Sequence, residues 1–168
     1  IGVRVLPKFF KDTTDRNRTS PFAFTGNKFE FRMLGSAFSI AGANIVLNTI
    51  VAEELSQFAD ILENSSNFDE DLNTLIKNTI KSHNKIIFNG NNYSNDWVKE
   101  AEKRGLLNLK TTPDALPSFV NSKNVELFTK HHVLSETELY SRYEILLDNY
   151  SKTIHIEALT MIDLAKKE

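Results

Sequence analysis

The sequence contains no cysteine, and it has only one tryptophan, four prolines and six glycines. The lack of cysteine excludes disulfide scaffolds, thiolate zinc sites and cysteine nucleophiles. No apolar run approaches the roughly 18 residues that a membrane-spanning helix needs. With 168 residues, 40% of them hydrophobic and 25% charged, the chain has the size and composition of one ordinary globular domain.

The sequence also lacks a large excess of charge of either sign, since its formal net charge is -2. The charges are nevertheless unevenly distributed. Residues 1–32 contain seven basic and three acidic side chains, whereas the remaining residues contain 13 basic and 19 acidic ones. A basic N-terminal segment indicates an anionic partner. Position 1 is isoleucine and no secretory signal precedes the polar residues, so we expect a piece of a longer cytoplasmic protein.

A β-hairpin is predicted around Gly26-Asn27, which separates two aromatic-rich, alternating runs. A two-residue turn at this point places Phe24 opposite Phe29 and Phe22 opposite Phe31. Because side chains alternate along a strand, all four rings then share one face of the hairpin. We expect this aromatic face to be buried.

The remainder of the sequence is helical in pattern. Apolar residues at helical spacing predict helices over 43–63 and from about 69 to 87. Capping residues indicate a helix from Ser94 to Gly105 and a short helix with Thr112 as its N-cap and Pro113 as its first residue. Further helices are expected over about 122–130 and from Ser135 towards the end of the chain. The last helix starts with a capping box, Ser135 to Glu138, and is expected to be about 45–50 Å long. The predicted fold class is α+β, mainly α, with one short N-terminal hairpin and five or six helices.

The charged face of the hairpin is the first candidate site. Glu30 and Arg32 are two residues apart on one strand, so both point to the face opposite the phenylalanines. A carboxylate there can bind a hard cation, and a guanidinium can hold a carboxylate or phosphate through two hydrogen bonds. The alternative is a solvated strand face with weak ion pairs.

Other candidates have simpler interpretations. Residues 17–20 can cradle an anion or merely cap a turn. Residues 35–42 precede a helix N-terminus but lack the Gly-Lys-Ser/Thr ending of a phosphate-binding loop. The adjacent His131 and His132 are expected at a helix C-terminus, and His83 is expected in the core.

Residues 15–32 resemble glutamine synthetase. Asn17-Arg18-Thr19 stands where that family has Asn-Arg-Ser, and Lys28-Phe29-Glu30-Phe31-Arg32 stands where it has Arg-Ile-Glu-Val/Phe-Arg. Further segments resemble the long type III branch of the family, namely residues 40–53, 97–106, 134–144 and 156–163. The resemblance spans nearly the whole chain and is weakest over residues 1–14.

The resemblance implies the synthesis of glutamine from glutamate, ammonia and ATP through γ-glutamyl phosphate, with Mg²⁺ or Mn²⁺ as the metal. By the same resemblance, Arg18 faces the ATP phosphates, and Lys28 is the basic residue near the nucleotide. Glu30 binds a metal ion, and Arg32 grips glutamate or the transferred phosphoryl group. The family has a further arginine where this chain has Ala23, so that role is not assigned.

Two regions with different roles are expected within one continuous piece of a larger protein. Residues 1–42 would be an active-site segment, and residues 43–168 a helical region. The remaining ligands of the active site would precede Ile1, so the chain alone is expected to be inactive. The resemblance also implies a homo-oligomer, a double-ring dodecamer. No membrane partner is expected, since no apolar run is long enough to span a membrane. Nucleic-acid binding by the basic residues 1–32 is a weaker alternative, because the aromatic residues there lie on the hairpin face that is expected to be buried. The alternative function is a non-catalytic helical module for oligomerisation or interaction, in which the hairpin is only structural.

Overall fold

The computed structural model describes residues 22–24, 28–31, 35, 37–87 and 94–167. The chain divides into two units, Ile1–Ser39 with Phe88–Leu106 and Ile40–Ile87 with Leu107–Glu168. Within the described ranges there are two short strands and six α-helices, so the predicted mainly helical fold with one hairpin is confirmed. The predicted functional division at residue 42 stays a prediction.

The hairpin of the first unit consists of strands β1 (Phe22–Phe24) and β2 (Phe29–Phe31). The strands are antiparallel, with Phe22 paired with Phe31, Ala23 with Glu30, and Phe24 with Phe29. This is the predicted register, which follows from a two-residue turn. The turn residues themselves, 25–27, lie outside the described residues.

The predicted burial of the aromatic face is wrong for the two rings of β2. Phe29 is 61% exposed and Phe31 is 44% exposed. A two-stranded hairpin buries neither of its faces unless another layer covers one. The alternation of the sequence therefore predicts correctly which residues share a face, but it does not show whether that face is covered within this chain.

The first unit also contains helix α3 (Asn95–Lys103), which starts directly after Ser94 as predicted. The helix ends in a Schellman motif with Gly105 at φ 68°. In this motif the N–H of Leu106 donates to the carbonyl of Ala101 over 2.9 Å. Glycine at this position adopts the left-handed conformation without a steric cost.

The second unit begins with α1 (Ala41–Leu62) and α2 (Phe68–His83), followed by a 3₁₀ turn at Asn84–Ile86. Both helices were predicted to within a few residues. The acidic residues 69–71 occupy the first turn of α2, where they complement the helix dipole. The prediction that His83 is a core residue is wrong, because its side chain is exposed at the end of α2.

The next elements are α4 (Thr112–Ala115), a 3₁₀ segment (Leu116–Val120) and α5 (Ser122–Lys130). The bounds of α5 are the predicted ones. The N-cap of α4 is Thr111 rather than the predicted Thr112, and its hydroxyl accepts a hydrogen bond of 3.3 Å from the N–H of Asp114. Either threonine can cap a helix, so the sequence alone does not distinguish them.

Helix α6 (Glu136–Ala165) has 30 residues and is about 45 Å long. Its predicted capping box is confirmed. The hydroxyl of Ser135 accepts from the N–H of Glu138 over 3.3 Å, and the N–H of Ser135 donates to the Glu138 carboxylate over 2.8 Å. None of the described helices is long and apolar enough to cross a membrane.

The hydrophobic core of the second unit lies where α5 and α6 meet. Its buried residues are Phe128, Leu134 and Leu139. Four partly buried side chains pack around them: Ile45, Val46, Phe119 and Val125. We call these seven residues the α5–α6 cluster. Its rings Phe119 and Phe128 are tilted by 55°, with centroids 6.0 Å apart.

Candidate functional site

The hairpin holds two of the four predicted site residues. Glu30 lies at the centre of β2, and Lys28 directly precedes this strand. Both side chains are exposed. Residues two apart on a strand point to the same face, and their Cα atoms are about 7 Å apart. The Glu30 carboxylate therefore lies on the face opposite Phe29 and Phe31, and Lys28 lies beside the start of the same strand.

The cross-strand neighbour of Glu30 is Ala23. Cross-strand partners are the nearest residues on the adjacent strand. Alanine carries no charge, so β1 supplies no charged partner at the position opposite the Glu30 carboxylate.

The other two predicted site residues, Arg18 and Arg32, lie outside the described residues. Arg32 directly follows the last residue of β2, and Arg18 precedes β1 by four residues. The convergence of all four side chains on one site stays a prediction.

Among its described residues, the hairpin provides one carboxylate ligand suited to a metal ion, Glu30. The carboxylate oxygens of Glu30 are the ligand type that hard cations such as Mg²⁺ and Mn²⁺ prefer. Within the described ranges, however, no three His, Cys, Asp or Glu side chains are arranged to hold a metal together. Glu30 is therefore suited to be one ligand of a cation whose remaining ligands come from elsewhere.

The densest charge cluster among the described residues lies in the second unit and was not predicted. Both carboxylate oxygens of Glu53, on α1, accept hydrogen bonds of 2.8 Å from Nζ of Lys130. The Nε2 atom of His131 lies 2.6 Å from the same carboxylate, and the side-chain amide of Gln57 donates to it over 2.8 Å. The Glu53 side chain is only 17% exposed.

These contacts hold the Glu53 carboxylate in its charged form. The hydrogen bond from Lys130, together with those from Gln57 and His131, lowers the pKa of Glu53 to about 2. In return, the Glu53 carboxylate raises the pKa of Lys130. A carboxylate so fully paired is a poor general base, because its proton affinity is far below that required near neutral pH. The cluster therefore links α1 to the end of α5.

The sequence predicts the position of the basic residues of this cluster but not that of Glu53. The placement of Lys130 and His131 at a helix C-terminus was predicted, and it is confirmed. Their partner on α1 is 77 residues earlier in the chain. No periodicity or spacing connects positions so far apart, so only the tertiary structure could identify Glu53.

The second unit also contains an apolar cavity of ≈ 380 Å³ beside the α5–α6 cluster. Its lining is formed by apolar side chains of α1, α5 and α6, such as Val46, Phe128 and Ile145. Arg142 is its charged lining residue. The lining offers no nucleophile and no acid–base pair, so the cavity is not suited to catalysis.

Comparison with known proteins connects both units with one family. Residues 71–168 match the glutamine synthetase C-terminal domain. The chain is 49% identical over 167 residues to a type-3 glutamine synthetase of Dictyostelium discoideum, and 45% identical over 168 residues to a glutamine synthetase of Butyrivibrio fibrisolvens. A glutamine synthetase of Bacteroides fragilis (strain YCH46) is 38% identical over 169 residues.

These alignments cover 95–98% of the chain, so they include the hairpin as well as the helices. They cover 23% of each relative. The chain thus spans about a quarter of the length of the relatives it matches. The family model alone accounts for more than half of the chain. The chain therefore belongs to the glutamine synthetase family, in its type III branch, and represents the part of such a protein that contains the C-terminal domain.

Proposed function

We propose that the full-length protein containing this chain is an ATP-dependent glutamate–ammonia ligase, and that the hairpin forms part of its active site. The observation that carries the proposal is the position of Glu30 at the centre of a strand that the alignments with three glutamine synthetases include. The name of these relatives states the product, glutamine.

The proposed reaction has two steps. The γ-carboxylate of glutamate takes the terminal phosphoryl group of ATP, which gives γ-glutamyl phosphate and ADP. Ammonia then attacks the acyl carbon, and the C–O bond to phosphate breaks as the C–N bond of glutamine forms. Phosphoryl transfer of this kind depends on positioning and on neutralising the phosphate charge.

Each predicted residue has a role suited to these steps. The Glu30 carboxylate would be one oxygen ligand of Mg²⁺ or Mn²⁺, an ion that neutralises phosphate charge when bound. The guanidinium groups of Arg18 and Arg32 would bind the ATP phosphates and the glutamate or transferred phosphoryl group. The Lys28 ammonium would contribute a further positive charge near the nucleotide.

We also propose different roles for the two regions of the chain and an oligomeric assembly. Residues 1–42 would be the active-site segment and residues 43–168 mainly scaffold, in a cytoplasmic homo-oligomer built as a double ring. The 168 residues alone would be inactive.

The direct test is Glu30→Gln in the full-length protein. This change keeps the size of the side chain and removes its charge. We expect the Mg²⁺ concentration for half-maximal activity to rise about tenfold or more, because loss of even an indirect metal contact has effects of that size. The measurement is phosphate release that requires both glutamate and ammonia.

The matched control is Glu54→Gln, which makes the same change at an exposed glutamate of α1. Its metal requirement and turnover should equal those of the unmodified protein. Unchanged metal dependence and turnover in Glu30→Gln would contradict the role of the hairpin. The absence of glutamine synthesis by the unmodified full-length protein would contradict the proposed activity itself.

A further inference from the structure

Helix α6 changes its environment halfway along its length. In the first half, Leu139 is buried, and Tyr143, Leu147 and Tyr150 are partly buried. From residue 151 to residue 165, every side chain except Ala158 is exposed. We call residues 151–165 the distal segment of α6. This segment is about 22 Å long.

The distal segment is exposed and yet apolar. Its six large apolar side chains are between 47% and 68% exposed: Ile154, Ile156, Leu159, Met161, Ile162 and Leu164. Residues 153–162 contain one formally charged side chain, Glu157. Near the ends of the segment the charges are paired within the helix, Lys152 with Asp148 and Lys167 with Asp163. The middle of the segment therefore has the composition of a buried helix rather than of a solvated one.

The apolar side chains surround the helix axis. At 3.6 residues per turn, the six side chains leave no angular gap wider than about 80°. A helix that is apolar on all sides is typically buried on all sides. A lipid surface or a single partner helix contacts only one stripe of a helix, so either would leave about half of these side chains in water. Only a cleft formed by several elements can cover them all.

The relatives of this chain are long enough to supply such a cleft from the rest of one polypeptide. The chain spans 23% of its relatives, so about three-quarters of their length lies outside these 168 residues. We infer that the distal segment of α6 inserts into an apolar cleft formed by the part of the same polypeptide outside residues 1–168. The segment then anchors the C-terminal domain to the remainder of the protein.

The first experiment asks whether the segment is covered, and it requires no variant. Hydroxyl-radical footprinting of the full-length protein measures the oxidation rate of Met161, which is 68% exposed in this chain. We expect Met161 to react at least about tenfold more slowly in the native protein than in the denatured protein, because the cleft excludes solvent. Equal rates would show that the segment stays in water and would overturn the inference.

The second experiment identifies the residues that cover the distal segment of α6. The photoreactive residue p-benzoylphenylalanine replaces Met161 in the full-length protein, and the matched control carries it at Leu107, an exposed leucine of the same unit. After irradiation we expect position 161 to cross-link within one polypeptide to residues outside the 168, several-fold more than position 107 does. Cross-links between two copies, seen as a dimer on a denaturing gel, would overturn the inference. Cross-links at the control level, or only to residues within the 168, would overturn it as well.

Discussion

The hairpin and the α5–α6 cluster differ in what they expose to solvent. On the hairpin, the described charged residues Lys28 and Glu30 are exposed, and so are the aromatic rings Phe29 and Phe31. In the α5–α6 cluster, Leu139 and its neighbours are buried, and no group suited to catalysis is present. The hairpin exposes charged side chains to solvent, whereas the cluster buries apolar side chains that carry no charge.

Because of this difference, we expect substitutions in the two regions to have different effects. A two-stranded hairpin is marginally stable by itself, so the charges on its surface contribute little to folding. Helices gain their stability from the apolar faces that they bury against one another. Substitutions on the charged face of the hairpin should therefore change activity, and substitutions in the cluster should change stability.

The largest effect on stability is expected from Leu139→Ala. Leu139 is fully buried between α5 and α6, so its truncation leaves a cavity and should cost about 2–5 kcal/mol. The measurement is hydrogen exchange of the α5 and α6 amides in the full-length protein. The activity per folded molecule should not change.

The control for this substitution is Leu107→Ala, which truncates a leucine that is 79% exposed. It should change the free energy of opening of the helices by less than about 0.5 kcal/mol. If both variants had the same effect, burial in the α5–α6 cluster would not be what stabilises these helices.

The converse prediction concerns Arg32→Ala, at the residue that directly follows β2 and that we propose binds glutamate or the transferred phosphoryl group. Loss of a guanidinium that stabilises transition-state charge typically lowers turnover about 100–1,000-fold. We expect a loss of this size in glutamine synthesis by the full-length protein, with the helices as stable as before. Arg32→Lys should recover only part of the activity, because lysine cannot form the two parallel hydrogen bonds.

Arg142→Ala provides the matched control, since Arg142 lies beside the apolar cavity of the second unit. It should synthesise glutamine at the normal rate. Similar losses in Arg32→Ala and Arg142→Ala would remove the distinction between a catalytic hairpin and a structural cluster.

Much of the fold was predictable because its signals are local. The register of the hairpin follows from a two-residue turn, the start of α6 from the Ser135–Glu138 capping box, and α5 from its apolar spacing. The burial of Phe29 and the environment of His83 were mispredicted, because burial depends on neighbours distant in sequence or outside this chain. Tertiary contacts are not encoded in periodicity.

The candidate site shows the same limit. The type of residue at Glu30 and its strand position were readable from the sequence, since both are local properties. The contact of Glu53 with Lys130 and His131 joins two helices across 77 and 78 residues and left no local signal. The assignment of Glu30 to a metal comes from the family resemblance, because a single carboxylate on a strand does not define a ligand.

A smaller effect, dependent on pH, is expected from Glu53→Gln. The pKa of Glu53 is lowered to about 2 from 4.5, so its ion pairs stabilise the protein fully above pH 4.5 and are lost as the pH falls towards 2. The raised pKa of Lys130 means that the lysine stays charged throughout this range. Lys130 is half exposed, so the loss should be smaller than that of Leu139→Ala.

Hydrogen exchange at the end of α5, followed as a function of pH, measures this effect. In the unmodified protein the protection should decline between pH 4.5 and 2. In Glu53→Gln it should be lower at neutral pH and should lack that decline. An identical pH profile in both proteins would show that the Glu53 cluster does not hold α1 on α5.

The smallest expected effect is an increase in stability, caused by His132→Gly. Helices α3 and α5 both end in a Schellman motif, but the left-handed residue is Gly105 at φ 68° in one and His132 at φ 54° in the other. A side chain in this conformation is strained, so His132→Gly should stabilise the end of α5 by about 0.5–1 kcal/mol, even though glycine loses more entropy on folding. Gly105→Ala should destabilise the end of α3 by at least a similar amount.

Hydrogen exchange of the Val133 and Leu106 amides, which close the two motifs, measures both changes. If His132→Gly instead weakened the motif, contacts of the His132 side chain would have to outweigh its backbone strain. Those contacts would then contribute to the stability of the end of α5.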